Sequence, residues 1–203
     1  MKRHLSALLL IMCLILSAGS AGAAAGDLQS EFARAQQARQ AGDQARAAAI
    51  LSQLARRGDL GKEKRSEILV LRGVVWQELH EFYRAISDFA RAAQLTPNWP
   101  EPHNNLAWVL ATCWNPDYRN GALALQHAQK ADQLLPNHPD VLDTLAAAYA
   151  ETGRFDEAAA TQERSIALMA KEGRASAGLE NARLRLSYYQ AQKPWRDQTP
   201  PRP

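Results

Sequence analysis

Small and large apolar residues recur along most of the chain at the spacing of paired helices. Residues 66–99 carry Leu69, Arg72, Gly73 and Trp76, then, after a polar break, Ala85, Phe89, Ala92 and Pro97. Leu69, Gly73 and Trp76, and likewise Ala85, Phe89 and Ala92, lie three or four residues apart, which places each set on one face of a helix. Gly73 and Ala85 are small enough to let two helices cross closely. Phe89 is the large neighbour, and Pro97 stops the second helix. The frame returns downstream as His103, Leu106, Ala107 and Leu110 followed by Ala124, Ala128, Ala131 and Pro136. It returns again as Leu142, Leu145, Ala146 and Tyr149 followed by Ala158, Gln162, Ser165 and Leu168. A looser copy precedes them: Arg34, Ala35 and Ala38, then Ala47, Leu51 and Leu54.

The intervals between equivalent small residues distinguish repetition from chance. First helices give Ala35, Gly73, Ala107 and Ala146, at intervals of 38, 34 and 39; second helices give Ala47, Ala85, Ala124 and Ala158, at 38, 39 and 34. Both series fit a 34-residue period with four residues added before the second unit and five inside the third. The five fall in Trp114–Gly121, where Asn-Pro and Asn-Gly mark turns. After Gly173, the residues Leu179, Ala182, Leu186 and Tyr189 make one more helical stripe, with Arg183 and Arg185 off it. Such a helix can close the open end of a stacked array. Residues 192–203 hold four prolines and no apolar period, and are expected to be a flexible tail.

The arrangement L-x2-R-G-x2-W, A-x3-F, P of the second unit resembles the tetratricopeptide repeat, whose signature is W-x2-L-G-x2-Y, A-x3-F, P. The resemblance covers residues 28–170, departing from the signature at Arg72, where Leu is expected, and at Ala170, where Pro is expected. It implies an all-α, right-handed helical-repeat solenoid of about four helix-turn-helix units, closed by a capping helix over 171–191. It also implies that the first helix of each pair lines a binding groove. Between the anchors of those helices stand Val70, Val74 and Gln77, then Asn104, Asn105, Trp108 and Thr112, then Asp143 and Thr144. The apolar members could form a floor, and the amides could pair with a peptide backbone. Glu67, Glu101, Asp140 and Asp143 would make one rim acidic. Family members that clamp a C-terminal carboxylate use groove lysines and arginines; these positions hold none, so a basic or apolar partner segment fits better. In the inserted loop, Trp114, Tyr118 and Arg119 are types enriched at binding hot spots, although the two aromatics are expected to fold back over the inter-helix gap.

The amino terminus changes the compartment. Lys2 and Arg3 precede an apolar run from Leu5 to Leu16, and Ala23-Ala24-Ala25 offers an A-x-A cleavage site. This is the pattern of a secretory signal peptide over residues 1–25, short of the roughly 20 apolar residues of a membrane span; a retained amino-terminal anchor is the alternative. Cleavage leaves 178 residues for the periplasm or the exterior, with no membrane insertion expected of them. Lys and Arg then number 22 against 21 Asp and Glu, which gives none of the basic excess of a nucleic-acid binder.

Catalytic chemistry is poorly represented. Cys13 lies in the signal, and Met12 before it argues against lipidation; Cys113 is then the one remaining thiol and reads as a small buried apolar side chain. His80, His103, His127 and His138 sit in no metal-ligand or c-type haem pattern and read as separate surface or loop residues. No phosphate-binding glycine loop is present. The expectation is a non-catalytic module without cofactor or metal, binding a protein or peptide partner as a periplasmic adaptor or assembly factor. A structural spacer of an envelope complex, acting by self-association or through its convex face, or an enzyme subunit with a reactive Cys113, are the alternatives.

Overall fold

In the computed structural model, residues 27–197 are described; residues 1–26, with the expected signal peptide, and residues 198–203 lie outside them. The described residues form nine α-helices and no strand. These are α1 (27–40), α2 (Gln44–Ala55), α3 (Lys62–Glu78), α4 (Phe82–Leu95), α5 (Pro100–Thr112), α6 (Gly121–Leu134), α7 (Pro139–Glu151), α8 (Phe155–Lys171) and α9 (Ser176–Gln190). No helix among them is long and apolar enough to cross a membrane. The helices begin where local chemistry allows. Pro100 and Pro139 open α5 and α7, where a missing N–H costs nothing. The Asp43 and Asn120 side chains accept from backbone N–H groups at the starts of α2 and α6.

The expected array divides into two compact units, between Asp59 and Leu60, in the stretch that carries the four added residues. The first unit is the α1–α2 pair, where Ala35, Ala47 and Leu51 are fully buried. The second holds α3–α9. Within it α3 packs on α4, α5 on α6, α7 on α8 and α8 on α9, while α5 also packs on α7.

Close crossings explain the small residues of the frame. Ala35, Ala47, Ala85, Ala107, Ala124, Ala146 and Ala158 are all 0% exposed. At Gly73 a Cβ would lie 2.6 Å from Phe89 Cε1 and 2.8 Å from Cδ1, so α3 meets α4 with no room for a methyl group. Arg72, the departure from the repeat signature, pairs with the buried Asp88 of α4 through Nε and Nη2 at 2.7 and 2.8 Å. A bidentate charge pair thus holds the place expected for an aliphatic contact.

The inserted loop packs inward, as its aromatics led one to expect. Trp114 meets the Phe82 ring edge-on at 6.3 Å, and Tyr118 lies 5.8 Å from the same ring. Arg119 donates to the Cys113 and Trp114 carbonyls and to Glu151 at the end of α7, spending its guanidinium on closing the loop. The segment 192–197, expected to be part of a flexible tail, is instead docked. The left-handed Gln192, at φ 54°, turns the chain back after α9, and the backbone of Asp197 bridges to Cys113. The reason is a set of contacts about 85 residues away in sequence, invisible to local periodicity.

Candidate functional site

The first helices of the second unit, α3, α5 and α7, carry the nine residues expected to bind a partner, and the structure separates them into three groups. Val70, Thr112, Asp143 and Thr144 are buried, at 4%, 1%, 8% and 2% exposure. The Thr112 hydroxyl donates to the Trp108 carbonyl and the Thr144 hydroxyl to that of Asp140, each at the preceding turn of its own helix. These two threonines are satisfied within their helices, so the expectation that they face a partner is corrected. Val74 and Gln77 are half-buried on α3, with Val74 packed against the central apolar cluster.

Asp143 is a correction with wider consequences. Its Oδ1 accepts from Gln162 Nε2 of α8 at 2.7 Å and from Arg185 Nε of α9 at 2.8 Å. Burial pushes its carboxyl above the ordinary range, and Arg185 and Gln162 oppose that. It is therefore an internal strut rather than a rim charge. Arg185, read from the sequence as off the apolar stripe, has a side chain only 12% exposed. Its guanidinium also lies over the Trp108 ring, 5.5 Å from the centroid. The capping helix thus brings a cation to Asp143 and Trp108 of the first helices. The rim is reduced elsewhere too: Asp140 pairs with Arg174 at 2.6 Å, and Glu67 with Lys64.

Trp108 is half-buried, and its indole Nε1 donates to Asp197 Oδ2 at 2.9 Å. The Asp197 N–H donates to the Thr112 carbonyl at 2.8 Å. Arg196 pairs with Glu151 at 2.6 Å and reaches the Ala111 carbonyl. Trp195 settles against a cluster that includes Ala146, Ala150, Ala158 and Tyr189. The carboxy-terminal half of α5 and α7 is therefore covered by the chain's own segment. Its residues had no local sequence signal beyond a Trp, an Arg and an Asp in an otherwise proline-rich stretch.

Asn104 and Asn105 stand apart from this. With Trp99, Glu101, His138 and Asp140 they line an open cleft of about 450 Å³ between the amino-terminal ends of α5 and α7. Asn104 Oδ1 is buried with no hydrogen-bond partner. Burial, and then the charge of Glu67, raise the Glu101 carboxyl above its ordinary range. A carboxylate short of positive neighbours favours an incoming N–H or cation.

The remaining reactive types are accounted for by packing. Cys113 is 3% exposed, and burial pushes its thiol up, away from the reactive thiolate. His103 and His127, expected to be separate, stack with their rings 5.1 Å apart and Nδ1 atoms 2.9 Å apart. The Pro97 carbonyl makes His103 Nε2 the donor, so His103 Nδ1 accepts from His127. Among the described residues, no three His, Cys, Asp or Glu side chains are placed to share a metal ion.

Comparison with known proteins points to the fold. No family model matches the sequence, and no curated protein matches it. Solved structures do. MamA, residues 41 to the end, from Desulfovibrio magneticus RS-1 is 18% identical over 81% of this chain and 88% of that one, with a TM-score of 0.59. TTC0263, a thermophilic tetratricopeptide protein of Thermus thermophilus, is 18% identical over 81% and 87%, also at 0.59. Taken with the 34-residue frame and its buried small residues, these matches give the chain the tetratricopeptide-repeat fold.

Proposed function

We propose that this protein is a non-catalytic adaptor or assembly factor of the bacterial envelope, exported by its amino-terminal signal, that holds a segment of a partner protein against α5 and α7. The observation that carries this reading is the open cleft that Asn104 and Asn105 line beside the Glu101 carboxyl. The Asn104 and Asn105 amides can pair with a partner backbone, and the Glu101 carboxyl with a basic side chain. The apolar surfaces of Trp99, Pro100, Leu135 and Val141 around it would take the aliphatic part of such a segment. The burial of Cys113 and the internal pairing of the two central histidines favour binding over catalysis.

The test is the affinity of the exported form for a partner isolated on it from an envelope extract. Glu101→Lys should weaken binding about tenfold by replacing attraction with repulsion at the cleft mouth. Asn105→Ala should weaken it less, since one net hydrogen bond contributes about 0.5–1.5 kcal/mol. Affinity should also fall with added salt, because exposed charges are screened over about 10 Å at 0.1 M. Unchanged affinity in both variants would place the contact elsewhere.

A further inference from the structure

We propose that the surface beneath Trp195–Asp197 is a docking site for an extended partner segment bearing an aromatic residue, an arginine and an acidic residue in succession, and that the chain's own tail occupies it until such a segment takes its place. This rests on the reading of the first-helix face as the partner surface, and it adds the chemistry of the ligand.

The docked tail displays the recognition directly. The Asp197 N–H donates to the Thr112 carbonyl at 2.8 Å, and Asp197 forms a parallel bridge with Cys113. The last carbonyls of a helix have no partner within it, so the carboxy-terminal end of α5 offers an acceptor to any extended chain laid across it. Main-chain contacts of this kind supply affinity, and side-chain pockets supply specificity. Three pockets are filled. Trp195 lies against Ala146, Ala150 and Tyr189, edge-on to Tyr188 at 5.1 Å. Arg196 pairs with Glu151 at 2.6 Å. The Asp197 carboxylate accepts from the Trp108 indole at 2.9 Å.

The site is built to persist when the tail leaves. Glu151 keeps Arg119, at 3.1 Å, as a second partner. Trp108 keeps Arg185 over its ring. The segment joins α9 through an exposed turn. Ala191, Gln192 and Lys193 are exposed, Pro194–Asp197 are half-buried, and the reversal at Gln192 puts a non-glycine residue at positive φ. Release therefore breaks the contacts of Trp195–Asp197 and uncovers Tyr188 and Tyr189 of α9.

Tethering explains why a free segment needs an advantage. A short flexible tether gives an effective concentration in the millimolar range, so an untethered copy of the tail competes poorly. A partner gains the advantage by continuing along α5. Thr112 and Asn104 are eight positions apart, about 12 Å along a helix. About four extended residues span that distance. One segment can therefore fill the tail site and reach the Asn104–Asn105 cleft.

The experiment titrates a fluorescein-labelled peptide of residues 191–203, AQKPWRDQTPPRP, into the full chain and into a full-chain Arg196→Ala, Asp197→Ala variant. The variant should bind the peptide at least about tenfold more tightly than the unaltered chain, because apparent affinity falls with the fraction of sites that are open. Adding Glu151→Gln should abolish most of that gain, and a peptide with alanine in place of its Arg and Asp should not bind. Asp197→Asn in the full chain, which keeps the residue's shape, should give a smaller gain in the same direction. Equal affinity for the unaltered chain and both tail variants, or a gain that survives Glu151→Gln, would overturn the proposal. Its failure is separable from failure of the broader reading: if Glu101→Lys still weakens partner binding, the first-helix face binds but the tail is a permanent cap.

Discussion

Replacing Arg185 with Ala should lower the stability of the second unit by about 3–5 kcal/mol, the cost of stripping one partner from a buried ion pair. Arg185 and Asp143 have side chains only 12% and 11% exposed, so solvent screening gives little relief. Gln162 would remain on Asp143 Oδ1 at 2.7 Å, but an amide does not neutralise a charge. Trp108 would lose the cation above its ring as well. The effect should depend on pH with a definite sign. Burial already raises the Asp143 carboxyl above the ordinary value, and removing Arg185 raises it further. A carboxyl with a raised folded-state pKa binds protons more tightly in the folded state, so stability is lost as pH climbs from the unfolded value through the folded one. Thermal melts should therefore show the variant more impaired at about pH 8 than at about pH 5. Adding Asp143→Leu should recover much of the loss, since a buried pair replaced by apolar groups is often neutral or better. A melting shift below about 1 °C at about pH 8 would show that the strut contributes nothing to stability.

The second large effect belongs to the α3–α4 crossing. Phe89 is 0% exposed and its ring lies against Gly73, so Phe89→Ala should cost about 3–5 kcal/mol. Gly73→Ala alone should be destabilising by about 1–3 kcal/mol through overpacking, even though Ala is better than Gly in a helix by roughly 1 kcal/mol. The cause is the 2.6 Å approach of a new Cβ to Phe89 Cε1. With Phe89→Ala in place that clash is gone, and Gly73→Ala should turn neutral or stabilising. The double variant should thus be at least about 1 kcal/mol better than the sum of the singles. Additive losses in denaturant melts would mean that the two residues do not share the crossing.

The contrast between these sites shows what was legible in the sequence. Small residues at helix crossings repeat because the packing repeats, so Gly73, Ala85, Ala107, Ala124, Ala146 and Ala158 could be placed from spacing alone, and they are buried. Trp114 and Tyr118 could be read as folding back because a loop aromatic beside an inter-helix gap has apolar area to hide, and Phe82 receives both. The candidate site was only partly legible. Asn104 and Asn105 do line an open cleft. Asp143, Thr112 and Thr144 looked equally open because first-helix periodicity does not reveal what a later helix or turn will supply. Arg185 acts 42 positions from Asp143, and Asp197 acts 89 positions from Trp108. Neither contact leaves a local period. The His103–His127 pair escaped for the same reason: the two lie on different helices, 24 positions apart.

The claim that a partner is held by the first helices is tested most directly by site-resolved cross-linking. A photoreactive benzoylphenylalanine is introduced at Asn105, in the cleft on α5, and separately at Tyr83, which is 74% exposed on α4. Both proteins are irradiated in intact cells. A partner should cross-link from the Asn105 position and none from the Tyr83 position. A partner captured from the Tyr83 position with none from the Asn105 position would contradict it and move recognition to the second helices.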